Sequence, residues 1–201
     1  MSDDVPPGMP GNPVTLTDPQ MMRALAHPAR MAIWGHLAVN GPSTATACAD
    51  VAGLSPSACS YHLRALARYG IVEEDPESAA DGRQRPWRVR IVSFNIENDS
   101  GNPAADLAGR FLEEAIRADA EQARARYLNR RSEYPADWQE AVGWTQDGAF
   151  VTPAELTELK AKLREVMDQY RRLDPATRTA GALPVRMGFD MYPFFGPEET
   201  Q

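Results

Sequence analysis

The sequence predicts a mainly helical α+β chain: a block of short helices closed by a β-hairpin, then a long helix and a small α+β region. Three observations carry this. Apolar residues recur at helical spacing from residue 15 to Gly70. The period then shortens to two around Ile71-Val72 and Trp87, Val89, Ile91. Helical spacing returns from about Ala104 to Arg131. With 201 residues the chain is one large domain or two small ones, and residues 97–103, ENDSGNP, have the composition of a boundary between 15–96 and 104–195.

Residues 1–14 hold four Pro and two Gly, have little to bury, and read as a flexible arm. Thr17 or Asp18 then caps a first helix with Met21, Met22 and Leu25 on one face, broken at His27-Pro28. A second helix starts at Pro28, buries Met31, Ile33, Trp34 and Leu37, and ends at Asn40-Gly41-Pro42. A third, about Thr44–Val51, is closed by Gly53. The fourth has the clearest signals: Ser55 as N-cap, Pro56 at N1, and Gly70 after Tyr69. Ile71-Val72 and the alternating Trp87 to Ile91 form the hairpin around a loop at 73–82.

In the second half, Leu107, Phe111, Leu112, Ala115, Ile116, Ala123 and Tyr127 form a broad apolar stripe interrupted by Asp119, which needs a partner if buried. A helix of that length is hard to cover within a small domain. Val142–Trp144 and Phe150-Val151 flank Gln146-Asp147-Gly148 as a second hairpin would. Thr152-Pro153-Ala154-Glu155 is a capping box opening a helix to about Leu173, and Val185, Met187, Phe189 and Met191 alternate like a strand.

Composition narrows the function. No stretch approaches the roughly 18 apolar residues of a membrane helix, and the N-terminus lacks a signal-peptide pattern, so a cytoplasmic protein is expected. Two cysteines, Cys48 and Cys59, supply neither a disulfide framework nor a cysteine-built zinc site. The net charge of −7 argues against non-specific nucleic-acid binding by bulk charge, yet it is unevenly spread. Residues 55–72 carry +2 and residues 83–90 carry +4, separated by a loop at −5.

The order helix, helix, helix, turn, helix, hairpin is that of a winged helix-turn-helix, with Gly53-Leu54-Ser55 as the turn. A helical wheel of the fourth helix places Cys59, Leu63 and Leu66 on one arc and Ser57, Ser60, Tyr61, Arg64 and Arg68 on the other. The second arc suits a major groove: short side chains first, then hydroxyl and guanidinium donors for bases and phosphates.

The motifs Leu25-Ala26-His27-Pro28-Ala29-Arg30, Leu54 to Leu63 with Leu66 and Gly70-Ile71-Val72, and Gly82-Arg83 before Trp87 resemble the ArsR-type family of bacterial winged-helix regulators over residues 15–95. The resemblance implies a homodimeric repressor or activator on an inverted-repeat operator in double-stranded DNA. It implies recognition contacts near Ser57, Ser60, Tyr61 and Arg64, and a wing tip at Gly82 to Arg85 near the minor groove or backbone. Two features depart from the family. All three histidines lie at His27, His36 and His62, so the long helix has no imidazole or sulfur ligand for a soft metal, and no cofactor is expected. The acids Glu73, Glu74, Asp75, Glu77 and Asp81 repel phosphate and are expected to point away from DNA.

The expected DNA-binding set is therefore Ser57, Ser60, Tyr61, Arg64 and Arg68 on helix 55–69, with Arg83, Arg85, Arg88 and Arg90 on wing 71–92. The expected dimer seam is Leu107, Phe111, Leu112, Ala115, Ile116 and Ala123. His62 borders the core and is expected to pack or cap, and His27 to sit at a helix junction. Ser60 and His62, two apart on a helix, do not face one another as nucleophile and base, so no enzyme is expected. Phe189, Met191, Tyr192, Phe194 and Phe195 are expected in a core, with a small-molecule effector pocket as the other use. Two alternatives stand beside the regulator: a protein-interaction module using the acidic loop, and an effector-binding protein in which 104–195 is the active element and DNA binding its output.

Overall fold

The computed structural model describes residues 5–9, 12–79, 85–96, 101–170 and 178–193. Its elements are β1 (Val14–Leu16), α1 (Pro19–Leu25), α2 (Pro28–Asn40), α3 (Ala45–Ala52), α4 (Pro56–Ala67), β2 (Val72–Glu74), β3 (Trp87–Val89), β4 (Phe94–Ile96), α5 (Pro103–Asn129), α6 (Ala136–Ala141) and α7 (Pro153–Tyr170). Proline opens α1, α2, α4, α5 and α7, where its missing N–H costs nothing. Side chains just before these prolines cap the exposed amides: Asp18 accepts from Gln20 at 2.8 Å, His27 Nδ1 from Ala29 at 3.2 Å, Ser55 from Ala58 at 3.3 Å, and Asn102 from Ala104 at 3.1 Å. Gly53 and Gly70, at φ 64° and 67°, make the left-handed turns that end α3 and follow α4.

Met22, Leu25, Ile33, Leu37, Cys48, Cys59, Leu63, Leu66, Ile71, Val72 and Leu112 are fully buried in one core shared by α1 to α5 and the hairpin. The antiparallel pair β2–β3 runs in the register Val72↔Val89, Glu73↔Arg88, Glu74↔Trp87. Ser43, in the α2–α3 connection, exchanges two backbone hydrogen bonds with Trp87, at 2.9 and 2.8 Å, and so anchors the hairpin to the helices. Trp34 ties the far end, its indole N–H donating to the Ile91 carbonyl at 2.7 Å.

Several expectations change. The arm at 1–14 is not free over its described part: the Gly8 carbonyl accepts from the Val92 and Ser93 amides at 2.7 and 2.8 Å, and β1 pairs in parallel with β4. Charge and proline content concealed this, because the partner is backbone 80 residues away in sequence. Residues 97–103 do not separate two cores. Beyond them, the start of α5 buries Ala105, Ala108, Gly109 and Leu112 against α1 and β4 and completes the first core. Gly109 permits the approach, since a Cβ there would lie 2.9 Å from Ile96 Cγ2.

The second hairpin around 146–148 and the strand at 185–191 do not form among the described residues: both stretches are irregular and largely exposed. Period-two apolar residues make a strand only when another strand supplies hydrogen bonds, and none does so there among the described residues. Phe189 and Tyr192 are exposed rather than in a core, Met191 is half-buried, and Phe194 and Phe195 lie outside the described residues. Asp119 does have its partner, an ion pair with Arg186 that lays the C-terminal segment along α5. No described helix is long and apolar enough to cross a membrane.

Candidate nucleic-acid interface

The α3–turn–α4 unit is rigid because its inner face is core. Cys48 and Ala49 of α3 meet Cys59, Leu63 and Leu66 of α4, all buried. Burial and the neighbouring thiol push Cys48 up to about 12, and burial raises Cys59 as well, so both stay protonated packing groups rather than thiolate ligands. The opposite face of α4 carries Ser57, Tyr61, Arg64 and Arg68, all exposed, with Ser60 half-buried. Tyr61 is 65% exposed, a large ring with no core to fill. Ser60 is less available than its wheel position suggests, because its hydroxyl donates to the Pro56 carbonyl at 2.9 Å.

An open concavity lies between α4 and the hairpin, lined by Thr44, Ala45 and Thr46 at the start of α3, Ser60 and Arg64 on α4, and Glu74, Arg85 and Trp87 on the wing. Sequence reasoning missed Thr44 and Thr46. The signal was present, since a Thr N-cap marks where free backbone amides point outward. The concavity thus combines hydroxyls with two guanidinium groups, of which Arg85 is paired with the Glu74 carboxylate.

On the wing, the described acids Glu73 and Glu74 pair with arginines. Glu73 sits opposite Arg88 in the β2–β3 register and accepts from it at 2.7 Å, and its other oxygen lies 3.4 Å from Arg90. Glu74 pairs with Arg85 at 3.6 Å. Asp75 turns inward, 5% exposed, and accepts from the Ser78 hydroxyl at 2.7 Å. Arg83 and the expected tip at 82–84 lie outside the described residues. The pairing follows from period two: residues on facing strands at one register share a face, so Glu73 meets Arg88.

Beside α4 is a cluster the sequence did not reveal as one. The His27 and His62 rings are 4.9 Å apart, and Tyr61 stacks edge-on to His62 at 5.5 Å. Arg30 Nε and His62 Nδ1 are buried without a hydrogen-bond partner. Burial first, then Arg30 for His27 and His27 with Arg30 for His62, hold both histidines below the ordinary imidazole value, so the cluster is neutral apart from Arg30.

The proposed seam residues separate onto two faces of α5. Leu112 is fully buried in its own chain, Ala115 and Ile116 pack against that core, and Ala123 is half-buried. Leu107 and Phe111, 50% and 58% exposed, lie on a different side. Because a wheel cannot say which part of a wide stripe its own domain covers, the sequence merged the two.

Residues 25–75 match the family model described as a helix-turn-helix domain, about a quarter of the chain. None of the curated proteins searched matches. Among solved structures, the chain is similar to the homodimeric winged helix-turn-helix DNA-binding domain of a possible ArsR-family transcriptional regulator from Mycobacterium bovis, at 21% identity over 58% of this chain and 84% of that one, with a TM-score of 0.31. The class defined by the family match, the α3–α4 geometry and the hairpin is the helix-turn-helix with a wing. Within that class, the motifs from Leu25 to Trp87 resemble those of the ArsR type.

Proposed function

We propose that this helix-turn-helix regulator acts as a homodimeric repressor, placing α4 in the major groove of an inverted-repeat operator with the wing on the adjacent backbone. The carrying observation is the division of α4 into a core face of Cys59, Leu63 and Leu66 and an exposed face of Ser57, Tyr61, Arg64 and Arg68. Two such helices related by a two-fold axis would enter successive grooves about 34 Å apart. Arg64 and Tyr61 lie where base edges would be reached, and Arg68, Arg85, Arg88 and Arg90 where phosphates would be.

Dimerisation uses the exposed side of α5, including Leu107 and Phe111, with Leu112 and Ile116 supporting the helix from inside. In that arrangement residues 104–195 serve assembly, and a small-molecule effector would act by changing the spacing of the two α4 helices. The test is titration of selected operator DNA with wild-type protein and the double variant Arg64→Ala/Tyr61→Ala, folding being checked by circular dichroism. The double variant is expected to lose at least tenfold in operator affinity while retaining weak, salt-sensitive binding to unrelated duplex. Unchanged operator affinity in a folded double variant would remove the assignment.

A further inference from the structure

Among the described residues, twelve of the nineteen exposed large hydrophobic side chains lie between Val142 and Tyr192, and no residue of the 18-residue helix α7 is buried. The apolar residues of α7 are not scattered. Leu156, Leu159, Leu163, Val166 and Tyr170 follow one another at spacings of three, four, three and four, the a and d positions of two and a half heptads. The opposite side of the helix is polar apart from Ala161: Thr157, Glu158, Arg164, Glu165 and Asp168. Arg164, on that polar side, donates to Asn95 Oδ1 of β4 at 2.8 Å, so α7 is held to the winged helix by its back while Leu159, Val166 and Tyr170 remain exposed.

We infer that α7 forms a second seam of the dimer, a short parallel coiled coil with α7 of a second copy. The inference rests on the homodimeric reading above and adds the element, partner and direction. Charge selects the occupant and the orientation. In a parallel pair the g position faces the e position of the partner five residues on, which places Glu155 opposite Lys160 in both directions and Lys162 opposite Met167. In the best-overlapping antiparallel pair, e faces e and g faces g, which sets Lys160 against Lys160 and Lys162 against Lys162 around the centre. Like charges so placed oppose association. Two and a half heptads would not hold two chains by themselves, so the seam acts together with α5 and fixes the relative rotation of the two winged helices.

The experiment uses full-length Leu159→Cys, Leu163→Cys and Ala161→Cys variants, weighed by light scattering and then mildly oxidised. Cys48 and Cys59 are fully buried and do not compete. In a parallel pair like positions face each other, so the Leu159→Cys dimer is expected to crosslink at least tenfold more than Ala161→Cys, which lies on the outer face. Crosslinking no greater than that of Ala161→Cys in a dimeric sample would overturn the seam while leaving the dimer intact. Crosslinking only in a mixture of Leu159→Cys with Leu163→Cys, where d meets a, would overturn the parallel direction. A monomer by light scattering for wild type and variants alike would overturn the seam together with the homodimeric reading.

Discussion

Glu73 decides how much of the wing's positive charge reaches a phosphate. Its carboxylate is shared between Arg88 and Arg90, so two of the four wing arginines are half-neutralised before DNA arrives. These are surface pairs, and Glu73→Gln is expected to change stability by less than about 1 kcal/mol. Its effect on binding is larger: the freed guanidinium groups should raise affinity for unrelated duplex several-fold and steepen its salt dependence, measured by anisotropy between 50 and 200 mM salt. His27 and His62 give a second residue-scale expectation. Both have folded pKa values below the unfolded imidazole, so the unfolded chain binds more protons and protonation favours unfolding. Their contribution is complete above about pH 6.5 and falls as pH drops below it. Protonating His27 would also remove the lone pair that caps α2. Arg30 and His62 face it, with Tyr61 and Tyr69 nearby. Thermal melts from pH 7.5 to 5 should show a Tm decline that is shallower in His27→Asn/His62→Phe, a variant retaining a capping side chain. Parallel declines in the two proteins would count against the cluster as the source.

At the scale of elements, the docking of the N-terminal strand and α5 onto the winged helix depends on two glycines. Gly8 has φ 87°, and a Cβ there would lie 3.0 Å from the Arg90 carbonyl oxygen, against backbone that cannot move aside. Gly8→Ala is expected to cost about 1–3 kcal/mol, measured by urea denaturation, whereas a free arm would show no change. Gly109→Val would push α5 away from Ile96 and cost a similar amount. What the sequence disclosed at this scale follows from local physics. The caps at Asp18 and Ser55, the turn at Gly53, and the apolar faces of α2 and α4 are all set within a few residues, and each was legible. The β1–β4 pairing, the Ser43–Trp87 bridge and the Glu73–Arg88 pair join distant segments, and no local pattern encodes which partner is met. The strand expected at 185–191 shows the converse, since its alternation is real but no strand pairs with it among the described residues.

For the whole molecule, α5 and α7 pose the same problem. The 27 residues of α5 span about 40 Å, but its fully buried residues all lie in the first third, and α7 has no fully buried residue. The sequence showed that the long helix exceeded what a small domain could cover. It did not show where self-burial stops, because that depends on the tilt at which α1 receives Leu112. Phe111→Glu, on the exposed side, is therefore expected to leave Tm within a few degrees while lowering the dimer fraction. Leu112→Ala, in the core, is expected to destabilise by about 2–5 kcal/mol in either oligomeric state. Sedimentation and melting together separate these outcomes. The charge distribution agrees with local rather than bulk binding: within a net charge of −7, residues 55–72 carry +2 and residues 83–90 carry +4. The most direct measurement is selection of bound sequences from a random duplex pool by the full-length protein at physiological salt. The account predicts enrichment of an inverted repeat with half-site centres about one helical turn or a near multiple apart, lost with Arg64→Ala/Tyr61→Ala. A pool that stays unenriched with folded protein, or an enriched motif unaffected by that double variant, would contradict it.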